Sequence, residues 1–257
     1  RIFLLGANGQ GKSNLLEALG LATALRSFRT QTLAALPRKG GKEYKLAYEL
    51  EHDTQGLTTL EIHSHAKGRS VWVDGEKVSR LVEFIGRFPS VTLCSSDLML
   101  LRGSPSERRR FMDLTLSVVN RDYYTAIRDL HRGIAGRNRL LKNNGSAAEL
   151  SAFEAEIAPH ASQIANYREV GMRTLGEVLC RTYDRIAEAD EGPELSFRPN
   201  VDCHDTEAYC RLLYESRKRD RMIGATQRGP HRDDFNFSLQ VGGAREYASD
   251  GQQRGLC

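Results

Sequence analysis

Apolar and polar positions change period several times along the chain, and each change marks a different kind of element. Ile2, Phe3, Leu4 and Leu5 form a short continuous apolar run, which predicts a buried strand. Over residues 14–25 the apolar positions Leu15, Leu19, Ala22 and Leu25 recur at helical spacing. Between 44 and 94 the period falls to two. Tyr44, Leu46, Tyr48 and Leu50 alternate with polar residues, as do Leu60 and Ile62. Val71-Trp72-Val73, Asp74-Gly75 and Lys77-Val78 predict a hairpin on a favoured Asp-Gly turn. Residues 89–94 read as a further short strand entering a loop.

Helical period returns at 104. Ser104 is an N-cap, Pro105 suits the first helical position, and Glu107 completes a capping box. Phe111, Leu114, Val118, Val119, Tyr123, Ile127, Leu130 and Ile134 then predict one long helix. After a loop over 142–146, a second helical stretch covers 148–189, with Pro159 as the place for a kink. Leu195-Ser196-Phe197 reads as a strand, and Asp205 caps a third helix reaching about 223. From 233 onward Phe235, Phe237, Leu239 and Val241 alternate, Gly242-Gly243 turns, and Arg245-Glu246-Tyr247 is expected to return as a strand. The order divides the chain into a lobe I with a glycine loop and antiparallel β structure (1–103), a mainly helical lobe II (104–224), and a return to lobe I (225–257). The class is α/β.

Composition narrows this little further. With 257 residues, 40% hydrophobic and 27% charged, the chain is an ordinary globular one. No apolar run approaches a membrane span, so neither a membrane partner nor a location other than the cytoplasm is expected. The five cysteines (94, 180, 203, 210 and 257) are scattered and never spaced C-x-x-C, as for reduced thiols. A formal charge of +4 is compatible with nucleic-acid binding without demonstrating it.

The chemistry is more specific. Gly6-Ala7-Asn8-Gly9-Gln10-Gly11-Lys12-Ser13 completes the pattern G-x-x-x-x-G-K-S/T between a predicted strand and a predicted helix. That context makes it a phosphate loop: glycines let backbone N–H groups surround phosphate oxygens at a helix N-terminus. Gly6, Asn8, Gly9, Gly11, Lys12, Ser13 and Asn14 are the candidate ATP-binding residues. Lys12 would reach the β and γ phosphates, and Ser13 would ligate Mg²⁺. No apolar strand ending in paired carboxylates follows the loop, so no catalytic residue is assigned within the chain, and a fragment cut at both ends is the simplest expectation.

Ser249-Asp250-Gly251-Gln252 has two compatible readings. It is a capping box, and it matches the S-x-G-Q signature of ABC-type ATPases, in which the helix start is an anion site. Arg108-Arg109-Arg110 open the helical lobe, and Arg217 and Arg219 lie in the basic run that closes it. Such runs are either solvated helix faces or contacts to DNA phosphates. His231-Arg232-Asp233-Asp234 cannot converge on one ion if they lie on a strand, because neighbours point to opposite faces. They read instead as residues tying the hairpin to the ATPase core, with a contact near the nucleotide left open. Arg26 and Arg29 remain undecided between ion pairs and a nucleotide or DNA surface.

Taken together, the phosphate loop through Ala18, Arg26-Ser27-Phe28-Arg29-Thr30, Gly103-Ser104-Pro105 with Arg108-Arg109-Arg110-Phe111, Thr226 with Gly229-Pro230-His231-Arg232-Asp233-Asp234, and Gly251-Gln252-Gln253-Arg254 resemble the RecF family, in family order over nearly the whole chain. One departure is Cys94-Ser95-Ser96-Asp97-Leu98, where the family usually has Ser-Pro-Glu-Asp-Leu; Asp97 remains as a candidate sensor of Mg²⁺ and γ-phosphate. The resemblance implies an ABC-type P-loop ATPase lobe with an inserted helical lobe, binding ATP and Mg²⁺. It implies a homodimer in which Ser249, Gly251 and Gln252 meet the ATP held by the partner's phosphate loop. It implies slow hydrolysis, clamping of single-stranded and gapped duplex DNA, partnership with RecR and RecO in recombinase loading, and a part in DNA replication and the SOS response. A small-molecule P-loop kinase and a non-catalytic DNA- or partner-binding module are the rival readings.

Overall fold

The computed structural model describes all residues except Gln31, Leu33, Ala34, Thr54, Gln55, Ala66, Lys67 and Glu188, together with the side chains of Ala24 and Leu81. The chain forms two compact units, Arg1–Cys94 and Ser95–Cys257.

In the first unit, α1 (Lys12–Ala24) starts at the end of the glycine loop and stops at Leu25, whose φ of 56° ends the helical run. Strands β1 (Tyr44–His52), β2 (Gly56–His65), β3 (Gly68–Val73) and β4 (Glu76–Lys77) make an antiparallel sheet in sequence order. The Asp-Gly turn forms as expected: Asp74 and Gly75 have φ of 52° and 79°, and Asp74 Oδ1 accepts the Thr59 N–H at 2.8 Å. One sheet face buries Leu60, Ile62, Val71 and Val73 with Ala22, Leu25 and Phe84, the last from α2 (Leu81–Phe84). Period-two alternation is what supplies that face. Tyr48 fastens β1 to α1 by donating its hydroxyl to the Ala18 carbonyl at 2.5 Å.

Two expected strands do not form. Residues 2–5 carry no strand pairing, and Ile2, Phe3 and Leu5 are 92%, 77% and 91% exposed. Residues 89–94 likewise form no strand: the Ser90 N–H donates to Thr23 Oγ1 at 2.8 Å, while Val91 and Leu93 face solvent. A strand exists only where a neighbouring strand takes its backbone groups, and neither segment joins a sheet among the described residues.

The second unit begins with a 3₁₀ turn (Ser95–Leu98) and α3 (Met99–Arg102). Next come α4 (Pro105–Val119), α5 (Arg121–Lys142), α6 (Ala147–Tyr183), β5 (Glu194–Arg198) and α7 (Thr206–Ile223). A second 3₁₀ turn (Pro230–Arg232) leads to β6 (Asp234–Leu239), β7 (Gly242–Gly243), α8 (Ala244–Tyr247) and α9 (Asp250–Leu256). Strands β5, β6 and β7 pair antiparallel in that order. The core joins Met112, Tyr123, Leu130, Ile157 and Ile164 of the helices with Leu213 and with Phe235 and Phe237 of β6. Residues 225–257 therefore pack with the helices. No described helix is long and apolar enough to cross a membrane.

Three elements differ from expectation. The expected single helix from 104 breaks at Asn120, which is extended (φ −141°, ψ 111°) and whose Oδ1 accepts the N–H groups of Asp122 and Tyr123. The second helix runs through Pro159 uninterrupted and ends at Tyr183; Glu188, inside the stretch expected to be helical, lies outside the described residues. Residues 245–247 form α8 rather than a return strand, because the β6–β7 ladder closes at Leu239 and Gly242 and Ala244 then turns inward as a buried residue.

Candidate nucleotide-binding site

The loop before α1 leaves its backbone open. Gly6, Gly9 and Gly11 have φ of 152°, 82° and 87°, and a Cβ on any of them would meet nothing within 4 Å. Side chains rarely adopt such φ, so glycine is required, and the free space is room for an anion. Lys12 folds back over the loop, its Nζ donating to the Gly6 carbonyl at 2.6 Å and the Ala7 carbonyl at 2.7 Å. The ammonium and the first turn of α1, whose cap Gly11 has no side chain to hold its N–H groups, thus sit at the positive end of the helix dipole. These residues fit a triphosphate. Ser13 is exposed in the same turn. Among the described residues no group of three or more His, Cys, Asp or Glu is placed to hold a metal ion.

Arg-Ser-Phe-Arg-Thr braces that helix start. The buried Ser27 hydroxyl donates to Glu17 Oε1 and accepts the N–H groups of Arg29 and Thr30 at 2.9 and 3.0 Å. Arg29 Nη1 donates to Asn14 Oδ1 at 2.7 Å and Glu17 Oε2 at 3.2 Å. The side chain of Asn14 is therefore engaged with Arg29, while Arg26 and Asn8 are exposed.

In the second unit Ser249 caps α9 as expected. Its Oγ accepts the Gln252 N–H at 3.3 Å, and Gln252 Oε1 accepts the Ser249 N–H at 2.7 Å. Ser249 and Gly251 are exposed at the start of α9. Behind them, buried Gln253 accepts from Arg102 Nε at 2.5 Å and donates to the carbonyls of Ala244 and Ala248, each at 3.0 Å. Asp97 is half-buried on the first 3₁₀ turn, and its carbonyl accepts the Cys257 thiol at 3.5 Å.

The arginines named from the sequence have different fates. Arg108 is buried, donating to both carboxylate oxygens of Asp234 at 2.7 and 2.9 Å and to the Gly103 carbonyl at 3.0 Å. Burial alone would raise the Asp234 carboxyl; the Arg108 hydrogen bonds bring it below its ordinary value. Arg217 is held by Glu154 at 2.6 Å and by Ser151 at 2.7 Å. Arg108 and Arg217 are therefore both engaged in ion pairs within the fold. Arg109 donates to the Asp233 carbonyl at 2.7 Å; burial and the nearby Arg168 lower its pKa. Arg110 is half-buried, and Arg219 is exposed on α7.

Sequence reading missed two central residues. Arg168 is fully buried and donates to Asp233 Oδ2 at 2.6 Å, Asp113 Oδ1 at 2.7 Å and the Pro230 carbonyl at 2.6 Å. Burial opposes its charge, but Tyr123, Asp113 and Asp233 outweigh it and raise the pKa. Arg137, equally buried, donates to Glu154 at 3.0 Å, Asp220 at 2.7 Å, Thr226 at 2.9 Å and the Leu213 carbonyl at 2.9 Å. Asp233 and Asp234 hold their hairpin onto α6 and α4, within the second unit, rather than onto the unit that carries the phosphate loop. Residues 231–234 are not all strand: 231 and 232 belong to a 3₁₀ turn.

A phosphate loop in one unit and an exposed Ser-x-Gly-Gln helix start in a helical unit place the chain among the ABC-type ATPases. No family model matches it. Its curated relatives include proteins described as "DNA replication and repair protein RecF". That of Moorella thermoacetica is 33% identical over 257 residues, 98% of this chain and 68% of the relative. That of Streptococcus suis is 32% identical, over 98% of this chain and 70% of the relative. Among solved structures, the recombination mediator protein RecF-ATP in the RecFOR pathway matches with a TM-score of 0.90 and 26% identity, over 98% of this chain and 70% of that one. A RecF-ATPrS structure matches with a TM-score of 0.85. The chain belongs to the RecF family. That membership sets aside the small-molecule kinase reading.

Proposed function

We propose that this chain is the ATP-binding, DNA-engaging part of a cytoplasmic DNA replication and repair protein, in which ATP joins two copies of the molecule around DNA. The observation that carries this reading is the loop geometry: three glycines at positive φ, open space above them, and Lys12 Nζ within 2.7 Å of two loop carbonyls at a helix N-terminus. The likeness to a RecF-ATP structure supports ATP as the nucleotide.

Gly6, Gly9 and Gly11 would offer backbone N–H groups to the phosphates, and Lys12 would exchange its carbonyl partners for phosphate oxygens. Ser13 would hold Mg²⁺, which when bound neutralises phosphate charge. Asn8 and Asn14 border the same loop. Ser249, Gly251 and Gln252 would complete the site on the partner copy, where an exposed helix start suits a γ-phosphate. Asp97 would sense the Mg²⁺ and γ-phosphate state. The nucleotide then acts as a switch: the ATP state closes a clamp on single-stranded or gapped duplex DNA, and slow hydrolysis opens it. Arg109, Arg110 and Arg219 are the DNA candidates left after Arg108 and Arg217 are assigned to the fold. RecR and RecO would be partners in loading recombinase on gapped DNA and in the SOS response.

The test is nucleotide binding and assembly in parallel. Lys12→Ala should abolish ATP binding, while Ser249→Arg should retain it and lose ATP-driven dimerisation. ATP binding unaffected by Lys12→Ala would overturn the reading. So would loss of both properties in Ser249→Arg.

A further inference from the structure

We propose that a cleft in the second unit, between α4, the β5–β6 pair and α8, is a binding site for the phosphate backbone of DNA. It has a volume of about 190 Å³, and Arg108, Arg198, Arg245, Asn236, Asp234 and Glu246 supply its polar lining. A water occupies about 30 Å³ in the liquid, so the cleft has room for a phosphate group with some of its hydration.

The charge arrangement selects an anion. Arg198 stands directly opposite Asp234 in the β5–β6 register, which would ordinarily pair the two. Asp234 is already taken: Arg108 holds both its oxygens at 2.7 and 2.9 Å, and the Phe235 N–H donates to Oδ1 at 2.8 Å. Arg198 and Arg245 are both exposed, and neither has an ion-pair partner among the described residues. Glu246, beside Arg245 on α8, is the remaining carboxylate of the lining, so three arginines face two carboxylates, one of them neutralised. Asn236 adds an amide able to donate to an oxyanion. Two guanidinium groups without an ion-pair partner among the described residues, one from β5 and one from α8, line the same cleft, and Arg is the side chain best suited to bind phosphate. Of the anions that would suit such a cleft, DNA is the one the proposed function supplies, and both arginines are exposed to an extended polyanion.

This inference rests on the reading that the protein binds DNA, and it relocates the contact from the helical basic runs to residues on β5 and α8. The test compares wild type with Arg198→Ala/Arg245→Ala and with Arg198→Lys/Arg245→Lys. Each is titrated against a labelled single-strand/double-strand junction at several salt concentrations with ATP present. For two lost phosphate contacts, the slope of log K against log salt should fall by about 2 in the alanine variant, with affinity down at least about tenfold at low salt. The lysine variant should recover the slope. Wild-type slope in the alanine variant overturns the cleft while leaving DNA binding standing. A loss that lysine does not restore assigns the effect to packing and also overturns it. Failure of wild type to bind the junction overturns the DNA reading and this inference together.

Discussion

Arg102 donates through Nε to Gln253 Oε1 at 2.5 Å, and its Nη2 also reaches Asp250. One side chain from α3 thereby grips both the first turn of α9 and the buried glutamine behind it. Gln253 in turn holds the carbonyls of Ala244 and Ala248, at 3.0 Å each. The exposed Ser249 helix start is thus fixed from behind. Under the proposed function, Arg102 is a positioning residue.

Arg102→Ala should therefore weaken ATP-driven dimerisation by about tenfold, the equivalent of one hydrogen bond to a charged group reduced by solvent exposure. Nucleotide affinity of the single copy should not change. Sedimentation with and without ATP checks the first, and labelled ATP the second.

Removing Arg168 should be the most destabilising single change in the second unit. Arg168→Met leaves Asp113 and Asp233 without their buried cation, and loss of one partner from a buried ion pair costs about 3–5 kcal/mol. Adding Asp233→Asn to that variant should cost less than it does in wild type, because the two share one network. Urea unfolding of the four proteins measures the cycle; strict additivity would contradict the network.

His231 makes stability depend on pH. Its Nε2 lies 3.0 Å from the Thr226 carbonyl, and its buried Nδ1 has no hydrogen-bond partner among the described residues. Burial, with Arg232, His131 and Arg109 nearby, lowers its pKa to about 4. The unfolded chain takes up the proton near 6.5, so its contribution is fully present above that pH and is lost as pH falls toward 4. Relative to His231→Gln, wild type should lose on the order of 3 kcal/mol between pH 6.5 and 4. Equal losses in both would contradict the assignment.

Asn120 is a cap as well as a break. Asn120→Ala should cost about 1 kcal/mol, typical of an N-cap, with no effect on nucleotide binding. A melting curve is sufficient to see it.

What could be read from the sequence was what is decided locally. Caps at Ser104, Asp205 and Ser249, the Asp74-Gly75 turn and the glycine loop each follow from a few neighbouring residues, and each is found. Residues 2–5 and 89–94 were not legible as non-strands, because a strand is decided by a partner elsewhere in the sheet. Asn120 was hidden because Val118, Val119 and Tyr123 keep helical spacing across it. Where an arginine's guanidinium ends up is also a tertiary matter, which is why Arg108 and Arg217 read as surface charge. One signal was available: Arg137 lies on the stripe of Leu130, Ile134 and Leu141, and a charge at a core position calls for buried partners.

The most direct measurement of the central claim mixes two defective proteins. Lys12→Ala lacks a working phosphate loop, and Ser249→Arg lacks a working helix start for its partner's nucleotide. Alone, neither should dimerise with ATP. Mixed one to one, the loop of one can face the helix start of the other, so a heterodimer with one intact site should appear by sedimentation. No heterodimer in the mixture, or an ATP-dependent dimer of Ser249→Arg alone, would contradict a site shared between two copies.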